Sequence, residues 1–235
     1  MTLMHQFNLD PAIVERVTQR RGRLHAYESL EPTRTALIVI DMQNMWLEEG
    51  QPAQSPYCQG IVPNINRLAR AVRASGGRVV WVKMHHTEDV AESWSNYMEF
   101  FGGEHMTAMT EGLKPGNQGA QLWPEMDLQP VDETVIKTRF SAFIQGSSEL
   151  ESKLRPLDVD TLLITGVASN VCCESTARDA MMLNFKTIMV ADANATSTDF
   201  AHNASLSLLF GRFADVYRTD EVIALLQGAA KAAAE

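Results

Sequence analysis

"DTLLITGVASNVCCESTARDAMMLNFKTIMVA", Asp160 to Ala191, carries the pattern that decides the fold. Its opening run, Asp160 to Val167, is rich in apolar and β-branched residues without strict alternation. "CCESTARDAMMLN" follows with helical spacing, and "KTIMVA" (Lys186 to Ala191) is a second apolar run. A strand that is apolar on both faces, then a helix, then another such strand reads as one β–α–β unit of a covered parallel sheet.

The same alternation extends in both directions. Upstream stand "TALIVI" (Thr35 to Ile40), "RVVWVKM" (Arg78 to Met84) and "ETVIK" (Glu133 to Lys137); downstream stands "ADVYR" (Ala214 to Arg218). Between the first two, "VPNINRLARAVRASGG" puts Val62, Ile65, Leu68, Ala69 and Val72 on one helical face and stops at Gly76 and Gly77. "SELESKLRPL", "TDFAHNASLSLLF" and "DEVIALLQ" also read as helices. Six runs separated by helices predict a three-layer α/β/α fold around a parallel sheet, with ligands at the carboxyl ends of its strands. The chain divides into an N-terminal arm (1–34), a core domain (35–228) and an alanine-rich tail (229–235). In the arm, Asp10 and Pro11 open a short helix as cap and first residue.

The 235 residues carry a formal net charge of −9, which argues against general affinity for nucleic acid or an anionic membrane. No apolar run approaches the roughly 20 residues needed to span a bilayer, and the N-terminus lacks a signal-peptide pattern. The basic cluster from Arg16 to His25 reads as a solvated or subunit-facing arm. Three cysteines, two of them adjacent, do not make a disulfide framework, so a reducing compartment, the cytoplasm, is expected.

Chemistry collects at the strand ends. Asp41 ends the first strand in "IVIDMQN", Lys137 ends the third in "VIKTRF", and the fourth turns through "ITGVASNVCC" into a helix. An acid, a lysine and a cysteine on one sheet edge form a plausible catalytic set. A helix N-terminus and a nearby lysine would lower the thiol pKa. A carboxylate in reach could take the thiol proton and pass it to a departing amine, and free N–H groups at the helix start could hold an oxyanion. If Asn170 caps the helix, Cys172 lies in its first turn and Cys173, rotated by about 100°, points away as a packing residue. Singly, each has a blander reading: a loop cap for Asp41, a solvated edge charge for Lys137, packing for a buried cysteine.

Together these segments resemble the isochorismatase-like cysteine hydrolases. That family has an acid after strand one, a lysine after strand three and a signature "GVA-x-x-x-C-x-x-x-TARDA", against "GVASNVCCESTARDA" here. The resemblance covers about Thr35 to Leu226. It implies the sheet order 3-2-1-4-5-6 and a homo-oligomer, dimer or tetramer. It implies Asp41 as general base and acid, Lys137 as stabiliser of thiolate and transition state, and Cys172 as nucleophile. It also implies a cis Val167–Ala168 peptide that aims the Ala168 and Cys172 N–H groups at an oxyanion. "SNVCCESTARD" looks most like the ureidoacrylate amidohydrolase branch, whose signature is "NVC-x-EST-x-RD". This gives hydrolysis of a linear amide or carbamoyl C–N bond in a small ureido-type substrate, with ammonia released and no cofactor.

Trp46, Phe140, Phe143, Asn96 and Gln43 are candidate substrate contacts, with packing or turn stabilisation as the alternative for each. Asn44 reads as structural, Trp123 as part of the pocket mouth, and Arg178 and Asp179 as pairing or capping within their helix. Related nicotinamidases bind metal through an Asp-x-His motif after strand two. Here Met84 takes the aspartate position, so His85 and His86 read as a solvated or pocket-wall pair and no metal is expected. Two alternatives stay open: a nicotinamidase or cyclic-amide hydrolase, and a non-catalytic interaction or redox-sensing module built around Cys172.

Overall fold

The computed structural model describes residues 3–232. Six strands, β1 (Thr35–Ile40), β2 (Arg78–Met84), β3 (Glu133–Lys137), β4 (Thr161–Val167), β5 (Lys186–Ala195) and β6 (Asp215–Tyr217), form one sheet. Every pairing is parallel and the order is β3-β2-β1-β4-β5-β6, as expected. β1 shows why its sequence is a continuous apolar run. Ala36, Ile38 and Ile40 enter a core closed by helices Pro11–Arg21, Glu174–Met182 and Asp199–Arg212. Leu37 and Val39 enter the opposite core, closed by helices Val62–Ala74 and Thr219–Ala232. A strand with cores on both sides has no solvent face to make polar. The five apolar positions read as one face of the helix Val62–Ala74 are all buried there.

Two local departures from the expected elements matter for the site. β5 runs on to Ala195 rather than Ala191, because the β4–β5 register shifts between Ile164 and Gly166 and pairing resumes at Asn194. The Asn194 side chain bridges the irregularity, donating to the carbonyls of Ile164 and Val190. Gly166 itself, at φ +109°, lets β4 pass so close to β1 that any Cβ would collide with the Ile40 carbonyl. That close approach brings the chain after Ile40 and the chain after Val167 to one point at the strand-order reversal.

The N-terminal arm lies on the helix Asp199–Arg212. Asp10 caps the arm helix by accepting from the Ala12 and Ile13 N–H groups, with Pro11 as first helical residue. Part of the basic cluster is committed within the chain rather than left to solvent. Arg20 and Arg21 donate to the carbonyls of Gly211 and Phe210, at the negative end of the helix beneath them. No helix among the described residues is long and apolar enough to cross a membrane.

Candidate active site

Asp41, the residue after β1, sits at φ +53°, the left-handed region that few non-glycine residues adopt. Gln43 fixes the turn beyond it. Its side-chain amide donates to the carbonyls of Met84 and Ala120 and accepts from the Met84 N–H at 2.7 Å, clipping the ends of β1 and β2 together. Asn44 does similar work, donating to the Gln118 carbonyl. The backbone and amides around Asp41 are thus bonded to neighbouring segments, which holds a strained residue in place.

Lys137, at the end of β3, reaches across the end of β2. Its ammonium stands 2.9 Å from Asp41 Oδ2, 3.4 Å from Cys172 Sγ, 3.2 Å from the Arg139 carbonyl and 3.4 Å from Met84 Sδ. Asp41 and Lys137 are fully buried and Cys172 nearly so. The three strand ends therefore bring together the three residues singled out in the sequence.

The electrostatics correct one expectation. Burial pushes the Cys172 thiol up to about 12; the Lys137 charge pulls it down and Asp41 pushes it up further. Cys172 therefore rests as a protonated thiol, because desolvation outweighs the lysine. Burial also raises Asp41, opposed by Lys137 and by its contact with Cys172. Burial works against the Lys137 ammonium, but Asp41 and the Cys172 sulfur outweigh it and its pKa is raised. The pair behaves as a salt bridge beside a neutral thiol. Asp41 Oδ1 has no hydrogen-bond partner among the described residues.

The chain between β4 and the next helix is not capped by Asn170. Ser169–Cys173 form a single π-helical turn that runs into the helix Glu174–Met182. Such turns recur at functional sites because the extra residue re-aims side chains. The Val167–Ala168 peptide before it is cis, and the Ala168 carbonyl accepts from the Val171 and Cys173 N–H groups. Asn170 instead accepts from the Thr196 hydroxyl. Behind the turn, Ser169 Oγ lies 2.8 Å from His202 Nδ1, and the His5 ring stacks between His202 and Tyr57. The two cysteines meet different neighbours, Cys172 the Lys137 ammonium and Cys173 the Thr165 carbonyl. Cys173 is fully enclosed, its sulfur 3.8 Å from the Thr165 carbonyl.

A cavity of about 210 Å³ opens onto Cys172 and Ala168. Trp46, Met84, Phe140 and Val171 line it from the sheet side, and Tyr97, Phe101, His105, Met106, Met109 and Leu113 line it from the helices after β2. Of the expected substrate contacts, Trp46 and Phe140 stand on this wall. The other three are corrected by their placement. Gln43 is the buried clip described above. Asn96 faces solvent on the helix Ser95–Phe101, and its neighbour Tyr97 turns inward instead. Phe143 packs against Phe185, with ring centroids 5.5 Å apart, in the core away from the cavity.

Trp123 likewise packs into the second core rather than the pocket mouth. His86 is buried behind Tyr97, edge-on at 5.7 Å, and desolvation with the Lys137 and Arg139 charges pushes its pKa down to about 4. His85 is half-buried, and neither histidine is on the cavity wall. Among the described residues no three His, Cys, Asp or Glu side chains cluster closely enough to hold a metal. Arg178 pairs with Glu174 one helical turn away, while the Asp179 side chain accepts from the Ser141 hydroxyl outside its helix. Of the wall residues missed in the sequence, Met106, Met109 and Leu113 recur at helical spacing, but that pattern reads equally as ordinary packing.

Residues 35–221 match the isochorismatase domain. This chain belongs to the isochorismatase family. Among curated relatives, the ureidoacrylate amidohydrolase of Variovorax paradoxus is 35% identical, over 70% of each chain. A probable inactive nicotinamidase of Arabidopsis thaliana is 34% identical, over 73% of this chain and 86% of its own. Among solved structures, a cysteine hydrolase from Pseudomonas syringae pv. phaseolicola superposes with a TM-score of 0.78 at 27% identity, covering 85% of this chain and 95% of its own. The family places the chain among hydrolases, and its members of known name span more than one substrate.

Proposed function

We propose that this isochorismatase-family protein is an amidohydrolase that cleaves a linear amide or carbamoyl C–N bond of a small ureido-type substrate, with Cys172 as nucleophile. The observation that carries the reading is the buried Lys137 ammonium held 2.9 Å from Asp41 and 3.4 Å from Cys172, whose sulfur lies against the cavity. The likeness to ureidoacrylate amidohydrolase supports the carbamoyl class.

The protonated thiol dictates the order of events. Asp41 takes the thiol proton as sulfur adds to the carbonyl, so a free thiolate need not accumulate. Lys137 balances the charge that develops, in a site that excludes water. The N–H groups of Ala168 and Cys172 receive the tetrahedral oxyanion. Asp41 then returns the proton to the departing nitrogen, and ammonia leaves a Cys172 thioester or S-thiocarbamate. Water adds to that carbonyl with Asp41 as base, the C–S bond breaks, and the sulfur regains its proton. A carbamoyl amine gives a carbamate that decomposes to amine and carbon dioxide. No metal or organic cofactor enters these steps. We also read the chain as a homo-oligomer with no nucleic-acid or membrane partner.

Ammonia release from a panel of small amides and ureas, nicotinamide included, tests the reading. Turnover by the wild type and by Cys173→Ser, with none by Cys172→Ser, is the expected result. Equal loss in both variants, or no amide turned over by the wild type, would overturn it. Preferred turnover of nicotinamide would replace the linear-amide reading with the cyclic one.

A further inference from the structure

The geometry points to a substrate whose body beyond the scissile group is neutral and apolar: a small N-alkyl or N-aryl carbamoyl compound rather than a ureido acid. This inference rests on the amidohydrolase reading above and narrows it.

The wall that faces the reacting sulfur is built from Met84, Met106, Met109, Leu113, Phe101 and Phe140. A carboxylate set among these side chains would lose its hydration and gain no free counter-charge, which is strongly unfavourable. The nearby cations are committed elsewhere. Lys137 has three N–H groups and already stands within reach of Asp41, Cys172, the Arg139 carbonyl and Met84. Arg139 turns away, its guanidinium 4.9 Å over the Trp94 ring and donating to the carbonyls of Thr138 and Ser93. Lys114, next to Leu113, pairs with Glu88 at 3.2 Å and Glu111 at 2.9 Å. His105 is the one basic side chain on the wall, and it stands at the exposed rim.

A cation is disfavoured for a different reason. Aromatic faces from Trp46, Tyr97, Phe101 and Phe140 could attract one, but the Asp41 carboxylate at the cavity floor is already neutralised by Lys137. What the wall does offer is adaptable thioether and aromatic surface. Tyr97 adds a phenol that stays protonated, since burial pushes its pKa up to about 12. At about 210 Å³ the space is smaller than the roughly 300–1,000 Å³ of sites for drug-sized ligands. The body it admits is a short alkyl chain or a single ring.

Three ureas of matched shape test this: 3-ureidopropanoate, its neutral isostere 3-methylbutylurea, and (2-ureidoethyl)trimethylammonium. Ammonia release by the wild-type protein should give kcat/KM at least about 100-fold higher for the neutral urea than for either charged one. His105→Arg, which adds a fixed cation at the rim, should narrow the neutral-to-carboxylate ratio by about tenfold. Equal or better turnover of either charged urea, abolished by Cys172→Ser, would overturn the inference and leave the amidohydrolase reading standing. No ammonia from any of the three ureas, nor from the wider amide panel, would sink both.

Discussion

The floor and the cover of the cavity are built on opposite principles. The floor is three strand ends, and it carries the charged chemistry: Asp41 and Lys137 are fully buried and paired with each other. The cover is the pair of helices Ser95–Phe101 and Gly103–Gly112, mainly apolar toward the cavity, with Phe100 79% and Phe101 54% exposed on it. A parallel sheet fixes the floor, because each strand end is set by the ladder behind it. Helices that touch the sheet mainly through Met84, Met109 and Leu113 can change shape or sequence without moving that chemistry. On the proposed reading, reaction and selectivity are housed in separable parts of the chain.

Substitutions on the floor should produce the largest effects. Asp41→Asn is expected to lower kcat by about 10³-fold or more while the thermal transition stays sharp, measured by ammonia release and calorimetry. In the wild type, the acid limb of kcat/KM should lie above the ordinary carboxylate range. Asp41 is raised, so its base form is lost as pH falls through that higher value. Residual turnover by Asp41→Asn should lack this limb. Lys137→Met leaves a buried carboxylate without its counter-charge, and urea unfolding should show a loss of about 3–5 kcal/mol. A stability loss for Lys137→Met no larger than for a surface lysine would mean that the floor is not the charged, enclosed unit described.

On the cover, the expected effects are smaller and of another kind. Phe101→Ala should raise KM by about tenfold and leave kcat within about threefold, since it removes binding surface and no reacting group. A fall in kcat as large as that of Asp41→Asn would erase the distinction between floor and cover. Cys173→Ser should do least: turnover within about threefold, with a stability cost of about 1–2 kcal/mol for a hydroxyl set in an apolar core.

The same division explains what was legible in the sequence. The strands are continuous apolar runs bounded by helical patterns, and the residue ending each run lies at the sheet edge whatever the loops do. Asp41, Lys137 and Cys172 were readable for that reason. The thiol's protonation state was not, because helix position and lysine proximity are visible in sequence whereas full desolvation is a property of the packed site. Asn96 and Tyr97 are adjacent, and only the roll of a short helix decides which meets the cavity. Phe140 and Phe143 follow the same strand, yet the irregular chain after Lys137 sends one to the cavity and the other to Phe185. Gln43 looked like a substrate contact because amides serve both roles; its three bonds to backbone settle the structural one.

The adjacent cysteines offer the most direct test. Wild-type protein and Asp41→Asn would be mixed with a turned-over urea, quenched in acid within one turnover, digested, and the peptide spanning residues 168–178 sequenced by mass spectrometry. An acyl or carbamoyl mass is expected on Cys172 that chases away as product forms, and none on Cys173, whose sulfur faces the Thr165 carbonyl. Turnover with no adduct on Cys172 under any quench, or an adduct on Cys173, would contradict it.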